Sequence, residues 1–206
     1  MQKGCLLTFE GGDGAGKTTL ISKLYAYLVG KGLSVIQTRA PGGTKVGEGI
    51  RHILLHQDHP LDTRCELFLF LADRAQHVRE VILPALEKGQ IVLCDRYNDS
   101  TLAYQGGARG EDKAFVEGLC RYATRDLIPT RTFYLDIDPK LGLERVQRAG
   151  GSKDRIESEK LSFHQSIRSA FHEIAEREPE RFCVLDASLP PETVYNRAIS
   201  VLDALF

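Results

Sequence analysis

Two spacings of apolar residues alternate along the chain. Cys5–Phe9, Leu33–Gln37, Gln90–Cys94, Thr132–Leu135 and Phe182–Leu185 are short apolar or β-branched runs, the signature of buried strands. Between them lie longer stretches with helical spacing. Lys17–Val29 places Leu20, Leu24, Tyr27 and Leu28 on one face, and Phe163–Ile174 does the same with Phe163, Ile167, Ala170, Phe171 and Ile174. Glu192–Leu205 aligns Val194, Ile199, Val201, Leu202 and Leu205. Strand and helix in alternation predict an α/β fold, a parallel sheet with helices on both faces. Ligands of such sheets sit at the carboxyl ends of the strands, so chemistry is expected in the residues that follow each run.

The first such junction carries a phosphate cradle. Gly11 to Thr18, by way of Gly12, Asp13, Gly14, Ala15, Gly16 and Lys17, fits G-x-x-x-x-G-K-[ST] at every fixed position, with a strand before it and a helix after it. Glycines let successive backbone N–H groups turn inward into an anion nest, and the helix N-terminus adds the positive end of its dipole. Lys17 is placed to reach the β- and γ-phosphates of ATP, and the Thr18 hydroxyl to ligate Mg²⁺. Asp95, at the end of the third apolar run, is the expected carboxylate on the Mg²⁺ side, and neighbouring Arg96 can pair a phosphate bidentately. A GTPase base-reading motif, Asn-Lys-x-Asp, is absent: the only asparagines, Asn98 and Asn196, precede Asp99 and Arg197. A small kinase remains.

Composition narrows this further. The 206 residues suit one domain, 1–206, and 27 basic against 28 acidic residues leave no global field for a nucleic acid. Five scattered cysteines without a CxxC pair read as reduced thiols, and with neither a leader-like segment nor an apolar membrane span they imply a cytoplasmic protein. His52, His56 and His59 have helix-face spacing but no acid or cysteine completing a metal set, so they read as a solvated face.

Longer motifs then give the chain a family likeness. Phe9-Glu10-Gly11-x-Asp13-Gly14-x-Gly16-Lys17-Thr18-Thr19, Arg39-Ala40-Pro41-Gly42-Gly43-Thr44 and Leu67–Arg74 resemble segments of bacterial thymidylate kinases. So do Asp95-Arg96-Tyr97-x-x-Ser100-Thr101-x-Ala103-Tyr104-Gln105-Gly106 and Asp154-Arg155-Ile156-Glu157. The likeness spans roughly residues 5 to 190, and the long central motif is its most specific part. It departs at Ala40, where the family usually has glutamate.

The resemblance implies a P-loop kinase fold, with a five-stranded parallel sheet flanked by helices and a short mobile lid at about 145–156. It implies transfer of the γ-phosphate of ATP to dTMP, giving dTDP for dTTP synthesis, with Mg²⁺, and a homodimer packed through helices. It assigns Phe70 to stacking on the base and Arg74 to thymine O4, the two lying four apart on one helix face. Cytosine presents an amine donor where thymine has O4, so it would oppose a donor-only arginine. Arg39 and Arg96 fall to the dTMP phosphate, Asp13 to the sugar 3′-OH, Tyr104 to the 2′ position and Gln105 to the base. Pro41 and Ser100 complete the acceptor site, and the Asp186–Pro190 loop lines the adenine. In the lid, Arg145, Arg148, Lys153 and Arg155 surround Gly150-Gly151, and Arg148 or Arg155 is expected to supply a catalytic guanidinium. Two rivals stay open, a deoxynucleoside kinase and an ATP-binding regulatory protein. Arg39 with Arg96 argues against the first, since only a monophosphate acceptor needs a site for its phosphate.

Overall fold

The computed structural model describes residues 4–56, 59–150 and 154–206. Five strands, β1 (Cys5–Glu10), β2 (Val35–Arg39), β3 (Ile91–Asp95), β4 (Arg131–Asp136) and β5 (Phe182–Asp186), form one sheet in the order β2-β3-β1-β4-β5. Every pairing is parallel. β1 is central and buried at all six of its residues, as its unbroken apolar run requires. All five strands extend past their apolar runs to a polar residue, Glu10, Arg39, Asp95, Asp136 or Asp186, because the ladder constrains backbone and not side chain. In register, Arg39 and Phe9 both pair with Asp95, so all three lie in one row at the carboxyl edge.

The helices are α1 (Lys17–Gly30), α2 (Lys45–His56), α3 (Thr63–His77), α4 (Leu83–Glu87), α5 (Asn98–Thr101), α6 (Lys113–Thr124), α7 (Pro139–Arg148), α8 (Leu161–Arg177) and α9 (Pro191–Asp203). Side-chain caps start several of them. Asp62 accepts from Arg64 N and Cys65 N at α3, and Asp138 accepts from Lys140 N and Leu141 N at α7, where Pro139 takes the first turn. One sheet face, with Leu7, Phe9, Leu93, Phe133 and Leu185, packs on α1 and α9 through Leu20, Leu24, Val194 and Leu202. On the other, Leu6, Val92 and Cys94 meet Val78 and Ile82, while Tyr134 and Phe182 meet Phe171 and Ile174 of α8.

Two π-helical stretches, Val78–Ile82 between α3 and α4 and Leu102–Ala108 after α5, have no counterpart in the hydrophobic spacing. Such turns recur at functional sites. The second carries Tyr104 and Gln105. A close backbone approach joins α7 to the cradle. A Cβ added at Gly14 would lie 2.1 Å from the Gly142 carbonyl oxygen, and one at Gly142 would lie 2.3 Å from the Asp13 carbonyl oxygen. Glycine at both positions lets the lid-bearing helix rest directly on the loop.

Candidate active site

The cradle grows out of the most buried strand. Gly11, Gly14 and Gly16 have φ of 138°, 71° and 92°. Gly16 caps α1 without a side chain, so the first helical N–H groups are left for a ligand. Lys17 is buried, and its Nζ donates to the carbonyls of Gly11 (3.1 Å) and Gly12 (3.0 Å). Burial lowers the Lys17 ammonium from its ordinary value, and Arg96 adds to the effect. Arg51 is lowered in the same way, by burial first and then by Arg39. Cations gathered at this depth call for an anion. Thr18 Oγ1 lies 3.3 Å from Asp95 Oδ2, and the other oxygen of Asp95 is buried with no partner among the described residues. A hydroxyl beside a carboxylate with a lone oxygen is a donor set that suits Mg²⁺.

Arg96 is held from several sides. Its backbone takes a left-handed φ of 67° just past β3, and its amide donates to Phe9 O at 2.9 Å. Its guanidinium donates to Gly11 O (3.0 Å), Ser100 Oγ (3.3 Å) and Asp13 Oδ1 (2.9 Å), and it lies over the Tyr104 ring. Beneath it is Glu10, wholly buried, which accepts from Tyr97 N at 2.7 Å and from Ser100 Oγ at 2.5 Å. Ser100, expected at the substrate, is therefore engaged with Glu10 and Arg96 as well.

Two cavities meet here. The larger, about 880 Å³, runs along Asp13, Gly14, Gly16, Lys17 and Thr18 to Arg39 and Asp95. The smaller, about 150 Å³, is lined by Pro41, Phe70, Arg74, Ser100, Tyr104 and Gln105. Asp13, Ala40, Arg51, Arg96 and Glu157 line both. Several polar atoms around the smaller cavity are buried without a partner among the described residues, namely Asp13 Oδ2, Arg74 Nε and Tyr104 Oη. Arg74 is steadied by Asn98 Oδ1 at 3.3 Å and by the Tyr97 ring.

The lid candidates part company. Arg148 is exposed and, among the described residues, pairs with Glu144 at 3.5 Å. Arg155 is tucked under the acceptor side, where it donates to Leu54 O at 2.9 Å and to the buried Glu66. Arg145 reaches the loop that follows β5, donating to Ala187 O at 2.9 Å. Gly151 and Lys153 lie outside the described residues. His52 and His56 stand side by side on exposed positions of α2, and no group of three metal-ligating side chains occurs among the described residues.

Sequence reasoning gave no role to Arg51, Glu10, Glu66 or Glu157. Arg51 lies on an amphipathic helix among ordinary polar positions, and nothing local marks it. Glu157 lay inside a quoted motif, and only its place at the junction of both cavities singles it out.

The family model for thymidylate kinase matches residues 9–198. The thymidylate kinase of Protochlamydia amoebophila is 46% identical over 209 residues, covering 98% of this chain and 93% of the relative. That of Desulfovibrio desulfuricans is 49% identical over 205 residues, covering 96% and 94%. The crystal structure of thymidylate kinase from Ehrlichia chaffeensis superposes with a TM-score of 0.81 at 32% identity, covering 97% of this chain and 99% of that one. With the cradle, Arg39 and Arg96 at the carboxyl edge of the sheet and a second cavity beside them, and with the family model and these relatives matching over nearly the whole chain, the chain belongs to the thymidylate kinase family.

Proposed function

We propose that this thymidylate kinase moves the γ-phosphate of ATP to dTMP across the junction of its two cavities. The larger holds ATP on the cradle and the smaller holds the thymine, with Phe70 stacked on the ring and Arg74 donating to O4. One observation carries the assignment: the donor and acceptor cavities share Arg51 and Arg96, so the reacting phosphates meet between guanidinium groups. The acceptor oxygen belongs to a phosphate already ionised near neutral pH, so no general base is required. Positioning and charge neutralisation do the work. Arg39, Arg51 and Arg96 hold the dTMP phosphate and Lys17 holds the donor phosphates. Asp13, whose Oδ2 has no partner among the described residues, accepts from the sugar 3′-OH, and Tyr104 walls the 2′ position.

Mg²⁺ would be held by Thr18 and Asp95; when bound, it neutralises charge on the donor phosphates. Glu157 stands at the junction where the family usually places an acid at position 40, and burial together with Asp154 and Asp13 raises its carboxyl. We assign it the part that Ala40 leaves vacant. The compartment is cytoplasmic, in keeping with five unpaired cysteines. No helix among the described residues is long and apolar enough to cross a membrane. The active form is a homodimer through α3 and α6. The outer face of α3 carries Cys65, Phe68, Ala72 and Ala75 at helical spacing, all exposed, with Phe115 and Tyr122 exposed on α6.

The assignment is tested by ADP release measured with dTMP, dUMP, dCMP and the thymine ribonucleotide. Acceptor-dependent ADP release that is strongest with dTMP supports it. Equal release with all four acceptors would remove the base and sugar assignments, and release without any acceptor would favour a regulatory ATPase.

A further inference from the structure

Gln105 lines the acceptor cavity and is 1% exposed. Its side chain is an amide, a donor at one end and an acceptor at the other, and a free glutamine turns over to suit either kind of base. Here it is not free. Gln105 Nε2 donates to Glu66 Oε1 at 3.0 Å. Glu66 is itself buried, and its oxygens also receive Arg109 Nε (3.1 Å), Arg109 Nη2 (3.3 Å) and Arg155 Nη2. Burial alone would raise the Glu66 carboxyl. Hydrogen bonds from Arg109, Arg155 and Gln105 outweigh it and hold the group below the ordinary glutamate value, so it stays ionised.

An ionised carboxylate only accepts. Turning the Gln105 amide over would set its carbonyl oxygen against Glu66, so the nitrogen must face Glu66. With the nitrogen committed to Glu66, the carbonyl oxygen is the end left for the base. Thymine offers an N3–H donor to such an acceptor, whereas cytosine offers a bare N3. We infer that Glu66 is a specificity-determining positioning residue. It fixes the polarity of the Gln105 amide so that the pocket presents one donor, Arg74, and one acceptor, Gln105, in the order a thymine edge requires. Glu66, Phe70 and Arg74 are spaced i, i+4, i+8 on α3, so one helix face holds the stacking platform, the O4 donor and the residue that sets the third contact. The inference rests on the acceptor assignment above.

The test compares dTMP with 5-methyl-dCMP, which keeps the methyl group and sugar and changes only the hydrogen-bonding edge. kcat/KM is measured for both acceptors in the full chain, in Glu66→Gln and in Gln105→Leu. Glutamine at position 66 can face Gln105 with either end, so the amide is released. Glu66→Gln should narrow the preference for dTMP by about tenfold or more, the size of one unsatisfied buried polar contact. Both acceptors are read on the same preparation, so a lower folded fraction cancels from the ratio. If Glu66→Gln yields no soluble protein, Glu66→Asp withdraws the oxygen from Gln105 and is read by the same criterion. An unchanged preference in the Glu66 variant beside a lost preference in Gln105→Leu would overturn the role of Glu66 while leaving the pocket assignment standing. An unchanged preference in both would overturn the pocket assignment together with it.

Discussion

At the scale of single residues, burial decides which charges are available for chemistry. Phe70 is half-buried on a cavity wall and not sealed in the core, so its loss should be felt by the ligand before the fold. Phe70→Ala is expected to raise KM for dTMP about tenfold or more while leaving KM for ATP nearly unchanged, in line with the worth of one stacked base. A drop in melting temperature with an unchanged KM would make Phe70 a core residue. His77 is the opposite case. It is wholly buried, with Nε2 only 2.6 Å from Thr38 Oγ1 and Nδ1 without a partner among the described residues. Burial, helped by Arg74, pushes its pKa down from 6.5 to about 4. The unfolded chain therefore binds a proton that the folded one refuses between those values. The stability contributed by neutral His77 is complete above pH 6.5 and is lost as pH falls toward about 4, by at most about 1.4 kcal/mol per pH unit. Glu10 has the opposite sign. Burial, with Asp99 adding, raises its carboxyl, so its contribution is present at low pH and lost as pH rises through the raised value. Urea midpoints from pH 7 to pH 5 should fall less steeply in His77→Gln than in the parent, and parallel curves would refute the assignment.

At the scale of elements, the sheet is tied down by a polar row as well as by its apolar faces. Thr8 of β1 bonds Thr132 of β4 at 2.8 Å, and Arg181, just before β5, donates to Thr132 at 2.7 Å. Arg181 also grips Asp99 of α5 with two bonds of 2.7 and 2.8 Å. Asp99 is almost sealed, so removing its partner strands a buried charge. Arg181→Ala should cost about 3–5 kcal/mol in chemical denaturation. Arg121→Ala, which breaks an exposed pair with Asp126, should leave the midpoint unmoved. Equal effects would mean that the row is not a structural tie. The contrast also explains what the sequence could reveal. The cradle was legible because one continuous stretch must satisfy a phosphate through backbone, which limits the residue types at each position. The strands were legible because burial on both faces leaves unbroken apolar runs. Glu10 meets Tyr97 and Ser100, and Glu66 meets Gln105 and Arg155, across dozens of intervening residues. In sequence each is merely an acid on a strand or helix. The π-helical stretch that turns Tyr104 and Gln105 toward the acceptor cavity has no periodicity of its own to read.

At the scale of the molecule, α7 and the described residues 154–159 are anchored at different parts of the site. α7 rests on the cradle, and Arg155 is bound into the Glu66 cluster beside the acceptor. The two lid arginines should therefore fail differently. Arg148→Ala is expected to lower kcat on the order of 10³-fold with little change in either KM, as loss of a guanidinium used only in transfer does. Arg155→Ala should instead raise KM for dTMP. If both keep kcat within a few-fold, Arg39, Arg51 and Arg96 carry the transferred charge unaided. The proposed dimer is checked by sedimentation, where Phe68→Asp should shift the protein to monomer and a parent that already sediments as a monomer would dismiss it. The glycine contact between cradle and α7 also bears on how sequences of this kind can drift. Gly14 meets the backbone of Gly142, and Gly142 meets the backbone of Asp13, so neither clash can be relieved by trimming a side chain opposite. No second substitution rescues the first. Along any lineage that keeps α7 seated on the loop, these two positions should stay glycine together, however freely the exposed lid residues beyond them change.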